Sequence, residues 1–323
     1  AVGVLWKMDY LCEIVQGLVA LAVLVLLVAH ITAGKVNMTR HEKEKYFLSA
    51  TGEKQIFPSL QDPFSVELSV VVPAYNEELR LDGTSSLNFF VLSQKKTPSF
   101  TYEVIVIDDG SKDKTTQVAM QYTRKYGADK VRVLTLVKNR GKGGAVRMGT
   151  LSSRGRLILM ADADGATKFC DIEKVETALN EINSKPENMA ISCGSRAHLE
   201  KESVAQRSLF RTFLMLGFHF LVWFFCVRGI KDTQCGFKLF TREAAVKTFS
   251  CLHVERWAFD VELLYIAQCF KIPIAEVAVN WTEIEGSKLV PFWSWLQMGR
   301  DLVFIRLRYL TGAWKLKAAV KTD

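Results

Sequence analysis

From Leu68 onward, short β-branched runs alternate with stretches of helical spacing, and no other feature limits the fold so tightly. The runs are 68–72, 102–107, 131–137, 157–161 and 189–193, and between them lie 77–92, 114–126, 143–153 and 171–182. Strands that alternate with helices predict an α/β fold on a mostly parallel, doubly wound sheet. Ligands of such sheets bind outside the carboxyl ends of the strands, and the unusual residues of this chain fall there.

The first run leads into Pro73-Ala74-Tyr75-Asn76-Glu77. A dinucleotide site would carry G-x-G-x-x-G at this point, and the chain does not. The cluster Gly141-Lys142-Gly143-Gly144 fits neither that pattern nor G-x-x-x-x-G-K-[ST], which disfavours nicotinamide oxidoreductases and P-loop enzymes. A ring and a carboxylate at a strand end can hold a base and a ribose; a plain turn with a helix cap is the competing reading. The second run ends in Asp108-Asp109-Gly110-Ser111. Adjacent acids repel and need a cation, a hydroxyl or a backbone donor. One can bind a nucleoside while the other caps the next helix.

The fourth run ends in Asp162-Ala163-Asp164. A spacing of two in extended chain puts both carboxylates on one face. Hard oxygen ligands suit Mg2+ or Mn2+, which keeps positions open for substrate phosphates. D-x-D alone is common in solvated turns. Here it follows a buried-type strand beside two other acid-tipped strands.

In this order and strand context, the three motifs resemble the GT-A glycosyltransferases of family 2, and among them the polyprenyl-phosphate sugar transferases. The resemblance runs from the apolar N-terminal segment to the neighbourhood of Lys315. It includes Asn139-Arg140-Gly141-Lys142-Gly143-Gly144-Ala145, Gly194-Ser195-Arg196, Asp232-Thr233-Gln234-Cys235-Gly236-Phe237-Lys238, Arg256-Trp257-Ala258-Phe259-Asp260-Val261-Glu262 and Gly286-Ser287-Lys288. It implies inverting transfer of a sugar from a nucleotide diphosphate to dolichyl phosphate. It favours UDP-glucose as donor, with GDP-mannose as the rival. An inactive membrane scaffold of the same fold would show damaged acidic motifs, and these are intact. A nucleotidyltransferase on a similar sheet would not need lipid-facing helices.

The resemblance also implies roles. Pro73, Tyr75, Glu77, Asp108 or Asp109, Lys142 and Ala163 would hold the nucleotide-sugar, and Asp162 and Asp164 the Mg2+ or Mn2+. Relatives often place a Gln two residues after the second Asp; Ala166 stands here, so water would complete the metal shell. An acceptor phosphate is already anionic near neutral pH and needs no strong general base. It needs positive charge, and arginine grips phosphate bidentately. Arg196, Arg207, Arg211 and Lys288 are the candidates for that phosphate, with Arg140 and Lys142 behind them. The plain reading of Arg140 and Lys142 is a solvated surface charge. Asp162, Asp164, Arg196, Asp260 and Lys288 form the candidate catalytic set. Asp260 and Glu262 resemble the family's acidic pair, read as positioning donor hydroxyls or arginines, with a base role as the lesser reading.

Residues 14–33 contain no Asp, Glu, Lys or Arg. Such a run spans about 30 Å as a helix, the hydrocarbon thickness of a bilayer. Lys35, Arg40, Lys43 and Lys45 come after it, which predicts one transmembrane anchor with the bulk of the chain cytosolic. The sequons at Asn37 and Asn280 would then stay bare. Segment 212–227 is apolar and fits a core helix or a membrane-facing one. Segment 291–314 mixes Trp293, Trp295 and Trp314 with Arg300, Arg306 and Arg308, which suits an interfacial helix. The net charge of +8 then reads as attraction to phosphate and to a membrane surface. No RNP, KH, zinc-finger or helix-turn-helix pattern supports nucleic acid. Seven cysteines without a C-x-x-C pair disfavour a disulfide framework or zinc site.

The expected division is a lumenal stub at 1–13, the anchor at 14–33 and a linker at 34–66. A GT-A catalytic domain occupies 67–290, with a membrane-facing segment at 204–228, and interfacial helices occupy 291–323. The resemblance implies the endoplasmic reticulum membrane.

Overall fold

The computed structural model describes residues 2–82, 100–183, 188–199, 216–282, 284 and 291–316. Seven strands form one sheet in the order β5-β4-β3-β6-β8-β7-β9. They are β3 (Val66–Ala74), β4 (Tyr102–Asp108), β5 (Val131–Thr135), β6 (Gly155–Ala161), β7 (Ile191–Ser195), β8 (Phe237–Thr241) and β9 (Ile274–Ala278). All neighbours pair in parallel except β8, which runs against both β6 and β7. The predicted mostly parallel sheet is observed, and β8 and β9 extend it beyond the five runs read from the sequence.

Strand β3 shows why these segments are strands. Val70 and Val72 enter the apolar layer on one face, Val71 the layer on the other, and all three are buried. A strand covered on both faces reads as a continuous apolar run. Helices α3 (Thr115–Tyr126) and α5 (Ile172–Ile182) supply residues to the first layer. Helices α4 (Lys142–Leu151), α7 (Arg242–Phe249) and α8 (Phe259–Cys269) supply the second. A short α2 (Glu78–Asp82) succeeds β3. The pairing of β3 with β6 stops at Val71 opposite Met160, while the pairing with β4 continues to Ala74 opposite Asp108. The crevice therefore opens between β3 and β6, where the strand order reverses.

The antiparallel β8 sends its leading loop, not its trailing one, to this carboxyl edge. Phe237 sits opposite Ala161, so residues 232–236 lie beside the Asp162 turn. The ends of β7 and β9 point the same way, because these two strands pair in parallel.

Helix α1 (Val2–Ile31) absorbs both the expected stub at 1–13 and most of the anchor. Its span Glu13–Ile31 has a mean hydropathy of 2.6 and only 6% of it is buried, so it is no core helix. Segment 34–66 is not a plain linker. It holds a short 3-10 helix (Glu42–Lys45) and a hairpin of β1 (Tyr46–Leu48) with β2 (Lys54–Ile56), and it places Phe47, Phe57 and Leu60 in the core.

Helix α6 (Leu216–Cys226) is two-faced. Phe218 and Val222 pack inward, while Phe220, Trp223 and Phe224 are more than half exposed. The described part of segment 212–227 thus has a core-facing side and an exposed aromatic side. Helix α9 (Pro291–Leu310) buries Met298, Leu302 and Ile305 and exposes Leu296 and Leu310. Trp314 departs from the expected interfacial role: it is buried, stacks on His253 and donates to Gly34 O at 2.9 Å. Arg308 reaches Thr32 O at 3.2 Å and ties α9 to the end of α1.

The amino edge of the sheet carries a buried charge network. Glu103, fully buried on β4, accepts from Ser69 Oγ and Arg154 N, both at 2.6 Å, and lies 3.0 Å from Arg132 Nη1. Removing one partner of a buried pair strands the other charge, at about 3–5 kcal/mol. We expect Glu103→Ala to lower unfolding stability by that amount in denaturant titrations, and Glu103→Gln to cost about 1–3 kcal/mol.

Candidate active site

The site is assembled from loops at the carboxyl edge. Lys142 is the first residue of α4, and its ammonium contacts both carboxylate oxygens of Asp162, at 2.7 and 2.9 Å. Burial alone would lower the Lys142 pKa; the carboxylates of Asp162 and Asp260 more than reverse this and raise it. Lys142 is therefore a held, charged group and not the solvated one of the plain reading. Asp164 accepts from Ala166 N at 3.0 Å and closes a turn over Gly165, while Ala163 just before it is buried. Gly236 makes room for Asp162: a Cβ there would collide with the carboxylate.

Asp108 and Asp109 stand at the end of β4, where the sequence reading places a nucleoside ligand and a cap for the next helix. Both are nearly fully buried and already accept from protein donors. Asp108 takes Ser111 N at 2.8 Å and the Thr116 hydroxyl. Asp109 takes Arg140 N at 2.7 Å and Gly141 N at 2.9 Å. Burial pushes the Asp109 carboxyl up to about 7, against the pull of those two N–H groups. These acids build the loops. Gly141 has φ +85°, and a Cβ on it would meet Glu255 O at 2.7 Å, so only glycine lets segment 255–259 close over the start of α4.

Tyr75 and Glu77 come directly after β3, and Asn76 between them has φ +51°. Asn76 N donates to Ser111 Oγ at 2.9 Å and Glu77 N to Thr115 Oγ1 at 2.9 Å, so the β3 and β4 ends are laced together. The Glu77 carboxylate lies 3.1 Å from Arg80. Pro73 lies in β3 opposite Ile107 on β4, beyond the last β6 pair, where a ladder donor on the crevice side has no partner strand.

On the other side of Asp162, Arg196 leaves the end of β7. Its Nε and Nη2 grip Asp232 at 2.7 and 2.9 Å, and the guanidinium lies 5.4 Å from the Trp281 ring. Burial opposes its charge, but Asp232 outweighs this and raises the Arg196 pKa; the same pair pulls Asp232 down. About a third of the Arg196 side chain stays exposed, at 32%. The N–H groups not spent on Asp232 remain for an anion.

Asp260 stands inside the protein, near enough to Lys142 for its charge to raise the Lys142 pKa. It is buried and accepts from Lys238 Nζ at 2.6 Å, and Lys238 also donates to Cys235 O at 2.6 Å. Glu262 accepts from His253 N, Val254 N and Tyr309 Oη and ties α8 to α9. Both acids are engaged by protein donors, an arrangement in keeping with the positioning reading. Arg140 is also buried, not solvated, with its guanidinium 3.2 Å from Glu44.

Arg207, Arg211 and Lys288, expected at the acceptor phosphate, lie outside the described residues. Sequence reasoning assigned no role to Asp232, Lys238, Gly236 or Trp281. A signal existed for Lys238: a lysine inside the apolar strand Phe237–Thr241 requires a buried counter-charge.

The donor set bears on the expected metal. Asp162 and Asp164 offer two hard carboxylates at one strand end. Among the described residues no group of three or more His, Cys, Asp or Glu surrounds them. Mg2+ commonly takes one or two carboxylates and fills its shell with substrate phosphates and water, so the pair fits.

Residues 69–249 match the model of the family described as "Glycosyl transferase family 2". The dolichyl-phosphate beta-glucosyltransferase of Homo sapiens is 70% identical over 307 residues, covering 94% of this chain and 95% of the relative. That of Drosophila melanogaster is 58% identical, covering 97% of this chain and 98% of the relative. Among solved structures, glucosyl-3-phosphoglycerate synthase from Mycobacterium tuberculosis, in complex with Mn2+, UDP and glucosyl-3-phosphoglycerate, superposes with a TM-score of 0.50. It is 17% identical and covers 77% of this chain and 81% of that one, a likeness of fold. A D-x-D turn on β6, a lysine and an arginine flanking it, and near-complete alignment with these relatives converge: the chain belongs to glycosyl transferase family 2 and, within it, to the dolichyl-phosphate beta-glucosyltransferases.

Proposed function

We propose that this chain transfers glucose from UDP-glucose to dolichyl phosphate with inversion, giving dolichyl β-D-glucosyl phosphate and UDP. The observation that carries the reading is the 70% identity along 94% of the chain to a relative named for this acceptor and sugar. The geometry supports it: the acids of the D-x-D turn stand between one fixed cation on the nucleotide side and another on the far side.

In this reading an oxygen of the acceptor phosphate attacks the anomeric carbon from the face opposite the diphosphate. The new C1–O bond forms as the bond to the diphosphate oxygen breaks, and the electron pair leaves with UDP. A bound Mg2+ or Mn2+ on Asp162 and Asp164 supplies charge neutralisation for the diphosphate. Lys142 lies where it can share that task, and its contact with Asp162 sets its direction. Arg196, aimed by Asp232, holds the acceptor phosphate, with Arg207, Arg211 and Lys288 proposed beside it. No carboxylate base is required, which agrees with the buried positions of Asp260 and Glu262. Tyr75, Glu77 and Pro73 border the nucleoside side; Asp108 and Asp109 serve it indirectly by shaping their loops.

The acceptor carries a chain too apolar to leave a bilayer. The exposed span of α1, the aromatic face of α6 and the basic α9 support a membrane-anchored enzyme whose catalytic domain is cytosolic, at the endoplasmic reticulum. That setting leaves the charge-free helix in lipid and the phosphate-binding residues at the lipid surface.

Detergent-solubilised protein given dolichyl phosphate, Mg2+ or Mn2+, and labelled UDP-glucose or GDP-mannose should form lipid-linked glucose from UDP-glucose only. Asp162→Ala and Asp164→Ala should each lower the rate by on the order of 100-fold or more, as should chelation. Mannosyl-lipid instead would overturn the donor, and full activity in both variants would overturn the metal site. Arg196→Lys keeps the charge but loses the fork that grips Asp232 and phosphate together. We expect it to raise KM for dolichyl phosphate by roughly 10-fold, with KM for UDP-glucose little changed. The reverse pattern would move Arg196 to the donor side.

A further inference from the structure

Glu44 belongs to the stretch expected as a linker, yet it is only 1% exposed. One carboxylate oxygen accepts from Val137 N at 3.0 Å. The other accepts from Arg140 Nη2 at 3.2 Å and from His41 N at 3.0 Å. Arg140 Nη2 also reaches Thr39 O at 2.6 Å, while Nε and Nη1 are buried with no hydrogen-bond partner among the described residues. Glu44 is thus the counter-charge of a buried cation. On the opposite side of the same loop, Arg140 N and Gly141 N donate to Asp109.

Residues 137–141 are therefore held between two carboxylates, one from the stem behind α1 and one from the end of β4. The next residue is Lys142, whose ammonium meets Asp162 at 2.7 Å. A second tie runs along the same helix. Arg147, fully buried on α4, donates to Asn37 O at 2.8 Å and to Leu252 O at 2.9 Å. Arg40 donates to Ser152 Oγ at 2.9 Å, at the far end of that helix. The stem from Asn37 to Glu44 thus grips α4 at its start, middle and end.

We propose that Glu44 is a positioning residue for the nucleotide site: through Val137 and Arg140 it fixes the loop that presents Lys142, so the stem behind the membrane helix is part of the donor-site scaffold. The inference rests on the reading that Lys142 serves the diphosphate of a nucleotide. A flexible tether would have no use for a buried carboxylate. Loss of that carboxylate releases Val137 N and the Arg140 guanidinium together, so the loop keeps only its Asp109 anchor whether or not the Arg140 charge is also removed. A displacement of about 1 Å at a preorganised site is enough to cost binding.

The test is UDP binding with Mn2+, by titration calorimetry on the full chain in detergent. The set is wild type, Glu44→Gln, Glu42→Ala as the exposed neighbour, and the double variant Glu44→Met with Arg140→Met. We expect Kd for UDP to rise on the order of 10-fold in Glu44→Gln and to stay unchanged in Glu42→Ala. The double variant removes the stranded charge, so it should melt near the wild-type temperature while keeping the weakened UDP binding. KM for UDP-glucose should rise with that for dolichyl phosphate unchanged. Wild-type UDP affinity in folded Glu44→Gln, or full recovery in the double variant, overturns the inference. If Glu44→Gln does not fold, the double variant decides alone. Failure of wild-type protein to bind UDP overturns the nucleotide reading, and this inference with it.

Discussion

The buried pair of Lys238 and Asp260 is the support on which both halves of the site rest. Lys238 lies on β8, the strand of the seven-stranded sheet that runs against its neighbours, and Asp260 lies in the first turn of α8. Their 2.6 Å contact locks α8 to the sheet directly behind Lys142 and Asp162. The Asp260 charge helps keep Lys142 protonated, and the Asp162 charge does the same from the front. Two fully desolvated ions are costly unless each is satisfied. Lys238 meets that condition by donating to Cys235 O as well, which fixes the loop before β8. Gly236 in that loop is what lets Asp162 sit where it does.

The side of the site around Lys142, proposed to take the nucleotide donor, depends on how the chain satisfies its own loop N–H groups. A helix start such as that of α4 would ordinarily attract an anion to its free N–H groups. Here Asp109 takes the N–H groups just before the helix, and Glu255 O takes Gly144 N at 3.0 Å. Three of the N–H groups around that helix start are thus taken by the protein itself. In the proposed reading the side-chain charge of Lys142 then carries much of the interaction with the diphosphate.

Much of this was legible in the sequence because a polar motif at the end of an apolar run marks both the strand and its carboxyl edge. The runs before Pro73, Asp108 and Asp162 are strands β3, β4 and β6, and their motifs do converge on one edge. The five-residue strands β8 and β9 escaped because Phe237–Thr241 carries a lysine and Ile274–Ala278 carries a glutamate, so neither reads as an apolar run. Direction was also hidden: nothing local says that β8 is antiparallel, yet that is why Asp232 can reach Arg196. In one dimension Asp108 and Asp109 read only as adjacent acids in need of a cation, a hydroxyl or a backbone donor. Only the folded chain supplies the Ser111, Thr116, Arg140 and Gly141 donors that occupy them. Glu44 and Trp314 were misplaced for the same reason, since burial of a polar or aromatic residue near a chain end depends on partners far along the sequence.

The side of the site around Arg196, proposed to take the acceptor phosphate, has its own physical logic. An arginine facing an anionic lipid would collapse onto any nearby phosphate unless something fixed its orientation. Asp232 does so by taking Nε and Nη2 as a fork, and Trp281 lies against the guanidinium. The Arg196 charge is therefore partly spent, which weakens its hold on an anion but aims what remains. Asp232 is itself held by Glu276 on β9, whose carboxylate accepts Asp232 N at 2.8 Å. Past the end of β9 the chain runs on to Trp281, and Asn280 N donates to Asp171 at 2.6 Å. The fork, the ring and the acid turn thus share one frame. A rigid frame suits a reaction in which the nucleophile needs no activation, because alignment is then what the protein can contribute most.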